Sequence, residues 1–299
     1  MLTGAAIIDV MISPAGPEVF ETGSYPAEEI SMSFGADALN ESVVLASLGK
    51  EVYLNAVFGD DIESRMVESY CKDKGVDLTF KKVKSGLKTG INVVLVEPNG
   101  ERNFYTNRNG SLRKLQLEDI PETFPEDVGV FCFASIFVFP EMKEKELAEV
   151  FRRAKNQGII VCADMTKRKN GETVDDIAEA LSMIDYLMPN EEEAYLVTGA
   201  STPEDAAAVF RRYGVKNVII KSGKRGCYVE NDSIKMWISP EKEVTPVDTT
   251  GAGDSFAAGF VYGLSEGWDI MKCAEFANAC GAKAVSYLGA TTWCEHECK

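Results

Sequence analysis

Histidine is almost absent from this chain: His296 is the single one among 299 residues. Ser-His-Asp hydrolysis is therefore nearly excluded, and any proton abstraction falls to a carboxylate, lysine, cysteine or tyrosine. The sequence also lacks a G-x-G-x-x-G after its first apolar run, and it has no Walker A motif. These two absences argue against a NAD-dependent dehydrogenase and against a P-loop enzyme.

Positive charge is scarce as well. The chain carries 31 Lys and Arg against 47 Asp and Glu, a formal net charge of -16. Such an acidic surface repels a phosphate backbone, so we do not expect nucleic-acid binding. A local group of backbone amides can still hold a small phosphate-bearing ligand on an acidic protein.

Long apolar runs are also missing. No stretch approaches the roughly 18 to 20 apolar residues that a membrane span needs, and the start "MLTGAAIIDV" does not resemble a signal peptide. Most of the eight cysteines fall in apolar runs such as "VFCFASIFVF", which is typical of buried, reduced thiols. We expect a cytoplasmic protein that does not bind membranes.

The C-terminal "TTWCEHECK" places Cys294, His296 and Cys298 at two-residue spacing. A zinc site would need a fourth ligand, and the spacing is not that of a zinc ribbon. We expect an ordinary polar terminus here, with a metal site as the alternative.

Short apolar runs alternate with amphipathic, helix-like segments along most of the chain. This alternation predicts an α/β fold whose mostly parallel sheet is covered by helices on both faces. The predicted strands lie within 4–9, 51–59, 129–138, 158–165, 184–190, 215–223 and 226–231. The predicted helices lie within 36–49, 61–75, 143–158, 173–184, 191–199 and 203–214.

Two segments interrupt the alternation. Residues 11–34 are punctuated by proline, and residues 88–112 read as a hairpin with "PNG" as its turn. They could form a small projecting sheet, or they could be ordinary surface loops.

The stretch "VDTTGAGDSFAAGF" places Gly251, Ala252 and Gly253 directly before Asp254 and an apolar helix. Small residues let consecutive amides approach one ligand, and the helix dipole behind them favours an anion. Asp254 is either a functional carboxylate or a plain N-cap.

Three further stretches carry polar groups next to predicted strand ends. "LMPNEEEA" separates Asn190 from Glu193 by three residues, which suits either a magnesium-bound water or a helix cap. "VIIKSGKRGCYV" reads as a strand, a glycine turn and a second strand, and "FGADALNESVVLASLG" leads from small residues into a helix. Taken alone, the first stretch is explained by a glycine-containing turn and the second is better explained by packing, although both could line a ligand site.

Taken together, these stretches resemble the PfkB (ribokinase-like) family of carbohydrate kinases over essentially the full chain. "VDTTGAGDSFAAGF" resembles the C-terminal signature of the family, and "FGADALNESVVLASLG" followed by "FGDD" resembles a weaker form of its N-terminal signature. "NEEE" matches the Asn-x-x-Glu motif of the family. The resemblance implies a ribokinase-like three-layer α/β/α sandwich with a small β-sheet lid. The core with the ATP site would comprise 1–10, 35–87 and 113–299, and the lid over the sugar would comprise 11–34 and 88–112.

The resemblance also implies roles for individual residues. Asp254 would be the general base, and the 251–254 backbone, including Gly251, Ala252 and Gly253, would stabilise the transferring γ-phosphate of ATP. Asn190 would line the nucleotide site and, with Glu193, would organise Mg²⁺ through water. The remaining implied residues are Asp9, Gly35, Ala36 and Asn40 for the sugar, Ser222, Gly223, Gly226 and Asn278 for the nucleotide, and Asp248, Thr250, Ala284 and Gly289 for a monovalent cation such as K⁺.

The acceptor stays open at this point. The family usually has two glycines where this chain has Gly35 and Ala36, so the extra methyl group puts the usual sugar specificity in question. Arg108 after the hairpin, or Lys167 and Arg168 in "ADMTKRK", could pair with the carboxylate of a sugar acid, or could be solvated surface charges.

We therefore expect an ATP-dependent sugar kinase acting on a ketose, aldose or sugar acid. A catalytically silent sugar or nucleotide sensor and a nucleoside kinase are the alternatives. By analogy with the family, a homodimer would form through the lid.

Overall fold

The computed structural model describes residues 1–97, 102–241 and 244–298. The predicted turn at 98–100 lies outside these residues. The strands are β1 (Leu2–Thr3), β2 (Ile7–Ser13), β3 (Glu29–Gly35), β4 (Val52–Asn55), β5 (Val57–Gly59), β6 (Val76–Asp77), β7 (Lys82–Lys84), β8 (Ile91–Val96), β9 (Arg102–Thr106), β10 (Val130–Ile136), β11 (Ile160–Met165), β12 (Tyr186–Leu187), β13 (Asn217–Lys221), β14 (Cys227–Glu230) and β15 (Lys235–Ile238).

Helices connect most of these strands. The α-helices are α1 (Val19–Thr22), α2 (Asp37–Ser47), α3 (Ile62–Asp73), α4 (Glu144–Asn156), α5 (Ala178–Leu181), α6 (Glu191–Thr198), α7 (Pro203–Arg212), α8 (Ala252–Ser265), α9 (Ile270–Ala284) and α10 (Trp293–Glu297). Short 3₁₀ helices span Ser111–Arg113, Leu117–Asp119, Val174–Ile177 and Gly223–Arg225. Within the described ranges, no helix combines the length and apolar composition that crossing a membrane requires.

The large sheet has the strand order β15-β14-β13-β12-β11-β10-β1-β4-β6, with antiparallel pairing only at β13–β14–β15. Successive β10 residues alternate between two cores: Phe131 and Phe133 pack with helices α4 to α7, whereas Cys132 and Ala134 pack with α2, α3, α8 and α9. This alternation is what a sheet buried on both faces produces. The predicted three-layer sandwich is confirmed.

A separate small sheet has the order β3-β2-β8-β9. Strand β2 pairs antiparallel with β3 and parallel with β8, and β8 pairs antiparallel with β9. These strands come from the two segments that interrupted the pattern, although β2 already begins at Ile7 and β3 ends at Gly35.

Three predicted elements differ in detail. Of the strand predicted at 4–9, only 7–9 lie in a strand, and that strand is β2 of the small sheet, whereas the large sheet uses β1. The strand predicted at 51–59 divides into β4 in the large sheet and β5, which leaves it to pair with β7. The helix predicted at 173–184 begins as a 3₁₀ turn, which buries Val174 and Ile177 three residues apart, and α5 then covers only one turn.

Helices α8 and α9 pack unusually close together because small residues face each other. A Cβ on Gly259 would lie 2.8 Å from the Cys280 sulfur, and one on Gly263 would lie 2.8 Å from the Cys273 sulfur. This contact fixes α8, whose N-terminus lies at the candidate site.

Candidate active site

Asp254 lies in the first turn of α8. The helix is N-capped by Gly251, which has φ 74° and could not carry a side chain, because a Cβ there would lie 2.5 Å from that of Ala290. The Asp254 carboxylate accepts a hydrogen bond from Asn40 Nδ2 at 2.6 Å. The interpretation of Asp254 as a plain N-cap is therefore wrong, since its side chain reaches across to α2.

The surroundings of Asp254 make its carboxylate a stronger base than usual. Burial raises the pKa of Asp254 to about 8, and the neighbouring charge of Asp37 adds to this rise. The hydrogen bond from Asn40 and the charge of Lys221 oppose it. A carboxylate with a pKa near neutrality is suited to taking up a proton during a reaction.

The turn before Asp254 presents backbone amides. Ala252 N–H donates to Thr249 O at 3.3 Å, and Ser255 N–H closes the first helical turn onto Gly251 O at 2.8 Å. The amides of Gly253 and Asp254 lie between these two, at a helix start where no intrahelical acceptor exists. Such amides can bind an anion, and the absence of a side chain at Gly253 keeps the approach open.

Three polar side chains and Gly35 line a pocket between α2 and the small sheet. Asp9 on β2 accepts a hydrogen bond from Asn92 Nδ2 on β8 at 3.0 Å. A Cβ on Gly35 would lie 2.7 Å from Asp9 Oδ2 and 3.8 Å from Asn40 Oδ1, so these groups surround one space. Burial raises the pKa of Asp9, while the hydrogen bond from Asn92 lowers it.

Two acceptors in this pocket have no protein partner among the described residues. They are the buried side-chain oxygens Asn40 Oδ1 and Asn92 Oδ1. Buried polar atoms are almost always hydrogen-bonded, so an unpaired pair next to a carboxylate points to a ligand that brings its own donors. Hydroxyl groups provide such donors.

Ala36 adopts a backbone conformation that is normally reserved for glycine, with φ 80° and ψ 154°. It directly follows Gly35 and precedes α2, and its side chain packs against the core that lies on the side of α4 to α7. The three basic residues that could pair with the carboxylate of a sugar acid are exposed or already have protein partners. Arg108 lies exposed in the turn after β9, Lys167 pairs with Glu192, and Arg168 donates to backbone oxygens of its own loop.

Asn190 and Glu193 form a reciprocal helix cap at the start of α6. Asn190 Oδ1 accepts from Glu193 N–H at 2.9 Å, and Glu193 Oε2 accepts from Asn190 N–H at 2.8 Å. The helix cap, one of the two roles predicted for this pair, is therefore present. Burial raises the pKa of Glu193 to about 7, with Lys221 lowering it and Asp164 raising it. Excess negative charge at this place would accept a cation.

The predicted nucleotide residues lie on and beyond β13. Gly226, with φ 86°, could not carry a Cβ, which would lie 2.0 Å from Ile238 O, and Ser222 N–H closes the turn onto Gly226 O at 2.8 Å. Gly223 begins the 3₁₀ helix between them. Asn278 is buried on α9, and its amide donates to Ile238 O at 2.9 Å, so that group braces β15.

The predicted cation residues only partly converge. Asp248 accepts hydrogen bonds from Thr250 N–H at 3.0 Å, from Thr250 Oγ1 at 2.8 Å and from Gly289 N–H at 3.0 Å. The Ala284 carbonyl accepts from Tyr287 N–H at 3.3 Å. Each of these oxygens therefore already accepts at least one hydrogen bond from the protein.

Sequence reasoning missed four charged or polar residues of the site: Asp37, Asn92, Asp164 and Lys221. Asp164 is the penultimate residue of the apolar strand β11 and Lys221 ends β13, and the two form an ion pair with little exposure to solvent. The signal for both was a lone charge at the carboxyl end of an apolar strand, which is where α/β sheets bind ligands.

The C-terminal tail is not an ordinary polar terminus. Trp293 and Cys294 are buried in the core, and Trp293 Nε1 donates to Ser255 Oγ at 3.0 Å. His296 stacks on Tyr287 with ring centroids 5.1 Å apart, and Cys298 is half-buried. No group of three metal-ligating side chains was found in the tail or elsewhere within the described ranges.

Comparison with known proteins gives a consistent result. The profile of the pfkB family carbohydrate kinases matches residues 1–298. The 5-dehydro-2-deoxygluconokinase of Clostridium perfringens is 30% identical over 263 residues, which cover 84% of this chain and 78% of that protein. The aminoimidazole riboside kinase of Salmonella typhimurium is 30% identical over 269 residues, with coverage of 86% and 83%. A crystal structure of an Escherichia coli protein described as a ribokinase II, in complex with ATP and Mg²⁺, has a TM-score of 0.81 and 25% identity, covering 97% of this chain and 93% of that one.

Proposed function

This chain belongs to the pfkB family of carbohydrate kinases, and we propose which of its residues carry out ATP-dependent phosphorylation of a sugar hydroxyl. The observation that carries the proposal is the pair of Asp254 and Asn40, joined at 2.6 Å beside the amides of Gly253 and Asp254. One side of this pair faces a turn suited to phosphate. The other side faces the pocket, where two asparagine oxygens without a protein donor among the described residues could accept hydrogen bonds from hydroxyl groups. A phosphoryl donor and an alcohol can therefore meet at Asp254.

The proposed reaction uses Asp254 as the general base. The acceptor hydroxyl loses its proton to the Asp254 carboxylate while its oxygen bonds to the γ-phosphorus. The bond between that phosphorus and the β–γ bridging oxygen breaks, and ADP leaves. The Gly253 and Asp254 amides stabilise the charge on the transferring group, with Gly251 and Ala252 shaping the turn. Asn40 orients the carboxylate that it contacts.

Mg²⁺ belongs to this proposal as the partner of the nucleotide phosphates, whose charge it neutralises. The described residues offer one suitable carboxylate, Glu193, rather than a cage of protein ligands. This fits an ion that is held mainly by phosphates and water. Ser222, Gly223 and Gly226 would line the nucleotide side, and Asn278 beside adenine stays a prediction, as does a dependence on K⁺.

Asp9, Asn92 and Asn40 would bind the sugar hydroxyls. The small sheet, most of which comes from 11–34 and 88–112, would act as a lid. One face of that sheet carries Asp9, Ser33 and Asn92 in neighbouring register, which suits a polar ligand. The 1–10, 35–87 and 113–299 core would hold ATP.

The opposite face of the small sheet supports the proposed homodimer. Val10 pairs with Met32 and Ile12 with Ile30, so this face is apolar, and Ile30 is 68% exposed and Met32 53%. An apolar sheet face that is open to water is a typical protein interface. Met32→Glu should give monomers in sedimentation velocity, whereas Met236→Glu, at an exposed site on β15, should leave the dimer intact. A wild-type monomer would end this part of the proposal.

The cytoplasmic location also stays part of the proposal. All eight cysteines lie as free thiols, seven of them buried. Free thiols are typical of a reducing compartment.

The acceptor is best identified by measuring ADP release across neutral sugars, sugar acids and nucleosides. Turnover with one class would identify the substrate type. Binding of a sugar or of ATP without turnover would favour a sensor instead.

Asp254→Asn tests the role of the base. It should retain ATP and sugar binding and lower kcat by about 10²- to 10⁴-fold, the usual contribution of a general base. Asp73→Asn, at an exposed position on α3, is the matched control and should keep wild-type kcat. Near wild-type turnover by Asp254→Asn would remove Asp254 from the base role.

A further inference from the structure

Lys221 is a buried lysine to which neither the sequence motifs nor the comparisons assign a role. It ends β13, and its side chain is only 13% exposed. Its ammonium group pairs with the Asp164 carboxylate, which is 7% exposed at the end of β11. Its own backbone N–H donates to Pro189 O at 2.9 Å, directly before the cap of α6. Both ends of the residue are therefore fixed.

The Lys221 ammonium lies against the anion-binding turn. A Cβ built on Gly253 would lie 3.6 Å from Lys221 Nζ, and no other atom outside α8 and within the described residues lies within 4 Å of that Cβ. The space that glycine leaves open at position 253 is therefore bordered by this ammonium. An anion received by the Gly253 amide would lie next to a positive charge.

The charges around Lys221 keep it protonated. Burial alone would lower the pKa of Lys221, but Asp164, Glu193 and Asp254 together hold it above its ordinary value. The same ammonium lowers the pKa of Asp254 and of Glu193. Lys221 is thus the positive charge shared by the proposed base, the proposed magnesium carboxylate and the phosphate turn.

We propose that Lys221 donates a hydrogen bond to the transferring phosphoryl group and that Asp164 holds its ammonium in position. This rests on the proposed function, in which the γ-phosphorus passes from the bridging oxygen of ADP to the acceptor oxygen. Lys221 keeps its proton throughout, and it stabilises the charge on the phosphoryl oxygens during transfer. Lys221 is therefore a catalytic residue, and Asp164 is a positioning residue.

The alternative is a purely structural lysine that only neutralises the carboxylates. The two roles differ in what Lys221→Met does to a mimic of the transferring group. ADP with aluminium fluoride and MgCl₂ places a phosphoryl-like anion next to ADP without requiring the sugar, and calorimetry compares its binding with that of ADP alone. Such mimics bind much more tightly than ground-state ligands when the site fits the transferring group.

We expect wild-type protein to bind ADP more tightly when aluminium fluoride is present. In Lys221→Met that gain should be on the order of 100-fold smaller, which is the usual effect of removing one donor to an oxyanion. The affinity of the variant for ADP alone should stay within about twofold of the wild-type affinity. Asp164→Asn should lose a smaller part of the gain. With an active acceptor, Lys221→Met should lower kcat and leave the sugar KM nearly unchanged, and Lys221→Arg should restore part of kcat.

The control for misfolding is the double variant Lys221→Met with Asp164→Asn. It removes both charges of the ion pair, so neither charge is left unpaired. It should unfold near the wild-type temperature and still lack the gain. If folded Lys221→Met keeps the full gain in ADP affinity on adding aluminium fluoride, the proposal is overturned. It is also overturned if the wild-type protein binds ADP equally well with and without aluminium fluoride. Failure of the wild type to bind ADP at all would instead overturn the proposed function.

Discussion

The floor of the proposed site (Asp164, Lys221, Gly253 and Asp254) and the small sheet (β2, β3, β8 and β9) are built differently. In the floor, Asp164 is buried, Lys221 and Asp254 are half-buried, and Lys221 pairs with Asp164. In the small sheet, a polar face meets the pocket and an apolar face is exposed. The floor is suited to holding charges in fixed positions, whereas the sheet is suited to contacting a ligand and a partner. Changes in the floor should therefore alter kcat, and changes in the sheet should alter KM.

After Asp254→Asn, the largest effect is expected from Gly253→Ala. Its methyl group would lie at an ordinary 3.6 Å from Lys221 Nζ, so the fold should tolerate it, while the phosphate approach narrows. We expect kcat to fall on the order of 100-fold with an unchanged melting temperature. Gly251→Ala is the contrasting variant and should unfold earlier, because its Cβ would clash with Ala290 at a φ of 74°. Wild-type kcat in Gly253→Ala would contradict the floor as the phosphate site.

A tenfold effect on KM is expected in the small sheet. Asn92→Leu removes both the donor to Asp9 and an unpaired acceptor. We expect the sugar KM to rise about tenfold, as for one or two lost hydrogen bonds, with kcat within about threefold. Asn103→Ala, at an exposed position on β9, should leave both constants unchanged. If Asn92→Leu lowered kcat and left the sugar KM unchanged, the small sheet would not differ from the floor in its effect on the kinetics.

The crowding of acids in the floor should also appear in the pH dependence of stability. Burial raises the pKa of Asp254 to about 8, of Glu193 to about 7 and of Asp164 to about 6, against roughly 4 in the unfolded chain. Between pH 4 and 8 the folded state thus binds more protons, so stability falls as pH rises through this window. The Met1 amine, whose pKa burial lowers to about 6, acts oppositely in the upper part of this window.

The ligand-free protein should therefore melt at a higher temperature at pH 5.5 than at pH 8.5, measured by calorimetry. Asp254→Asn should reduce that difference, because asparagine does not titrate. A melting temperature that rises from pH 5.5 to 8.5 would contradict the assignment of raised pKa values to the floor.

The smallest effect is expected where the two regions meet. Ala36 holds a glycine-like conformation that costs on the order of 1–3 kcal/mol. Ala36→Gly should remove this strain, partly offset by the greater freedom of glycine in the unfolded chain, and raise the melting temperature by about 2 °C. Ala46→Gly, inside α2, should lower it instead. A drop with Ala36→Gly would show that the methyl group stabilises the fold.

Motifs with fixed spacing predicted much of this molecule. Gly251 to Asp254, Asn40, Asp9 and Gly35 were all identified from sequence, and the structure brings Asp254, Asn40, Asp9 and Gly35 around one pocket. The sheet and its two covering layers followed from the alternation of apolar strands and amphipathic helices. Strands, helices and short motifs give strong signals in the sequence because their backbone geometry and burial pattern depend on residues that are close together in the chain.

Long-range partners could not be predicted in the same way. Lys221 and Asp164 are 57 residues apart, and each reads alone as an ordinary charge at a strand end. The contact of the Asn278 amide with Ile238 O, 40 residues away in the chain, had no local signal either. The strand at 51–59 gave no local sign that β5 would leave the large sheet to pair with β7. Such contacts depend on strand order, which hydrophobic periodicity does not encode.

The close packing of α8 against α9 has an entropic consequence for nucleotide binding. Fixing the backbone of one residue costs roughly 1–2 kcal/mol in conformational freedom. Because Gly259 and Gly263 allow α8 to be held tightly by α9, the Gly253 and Asp254 amides lose that freedom when the protein folds. A phosphate that arrives at this helix start therefore meets donors that are already ordered, and its binding free energy is not reduced by arranging them.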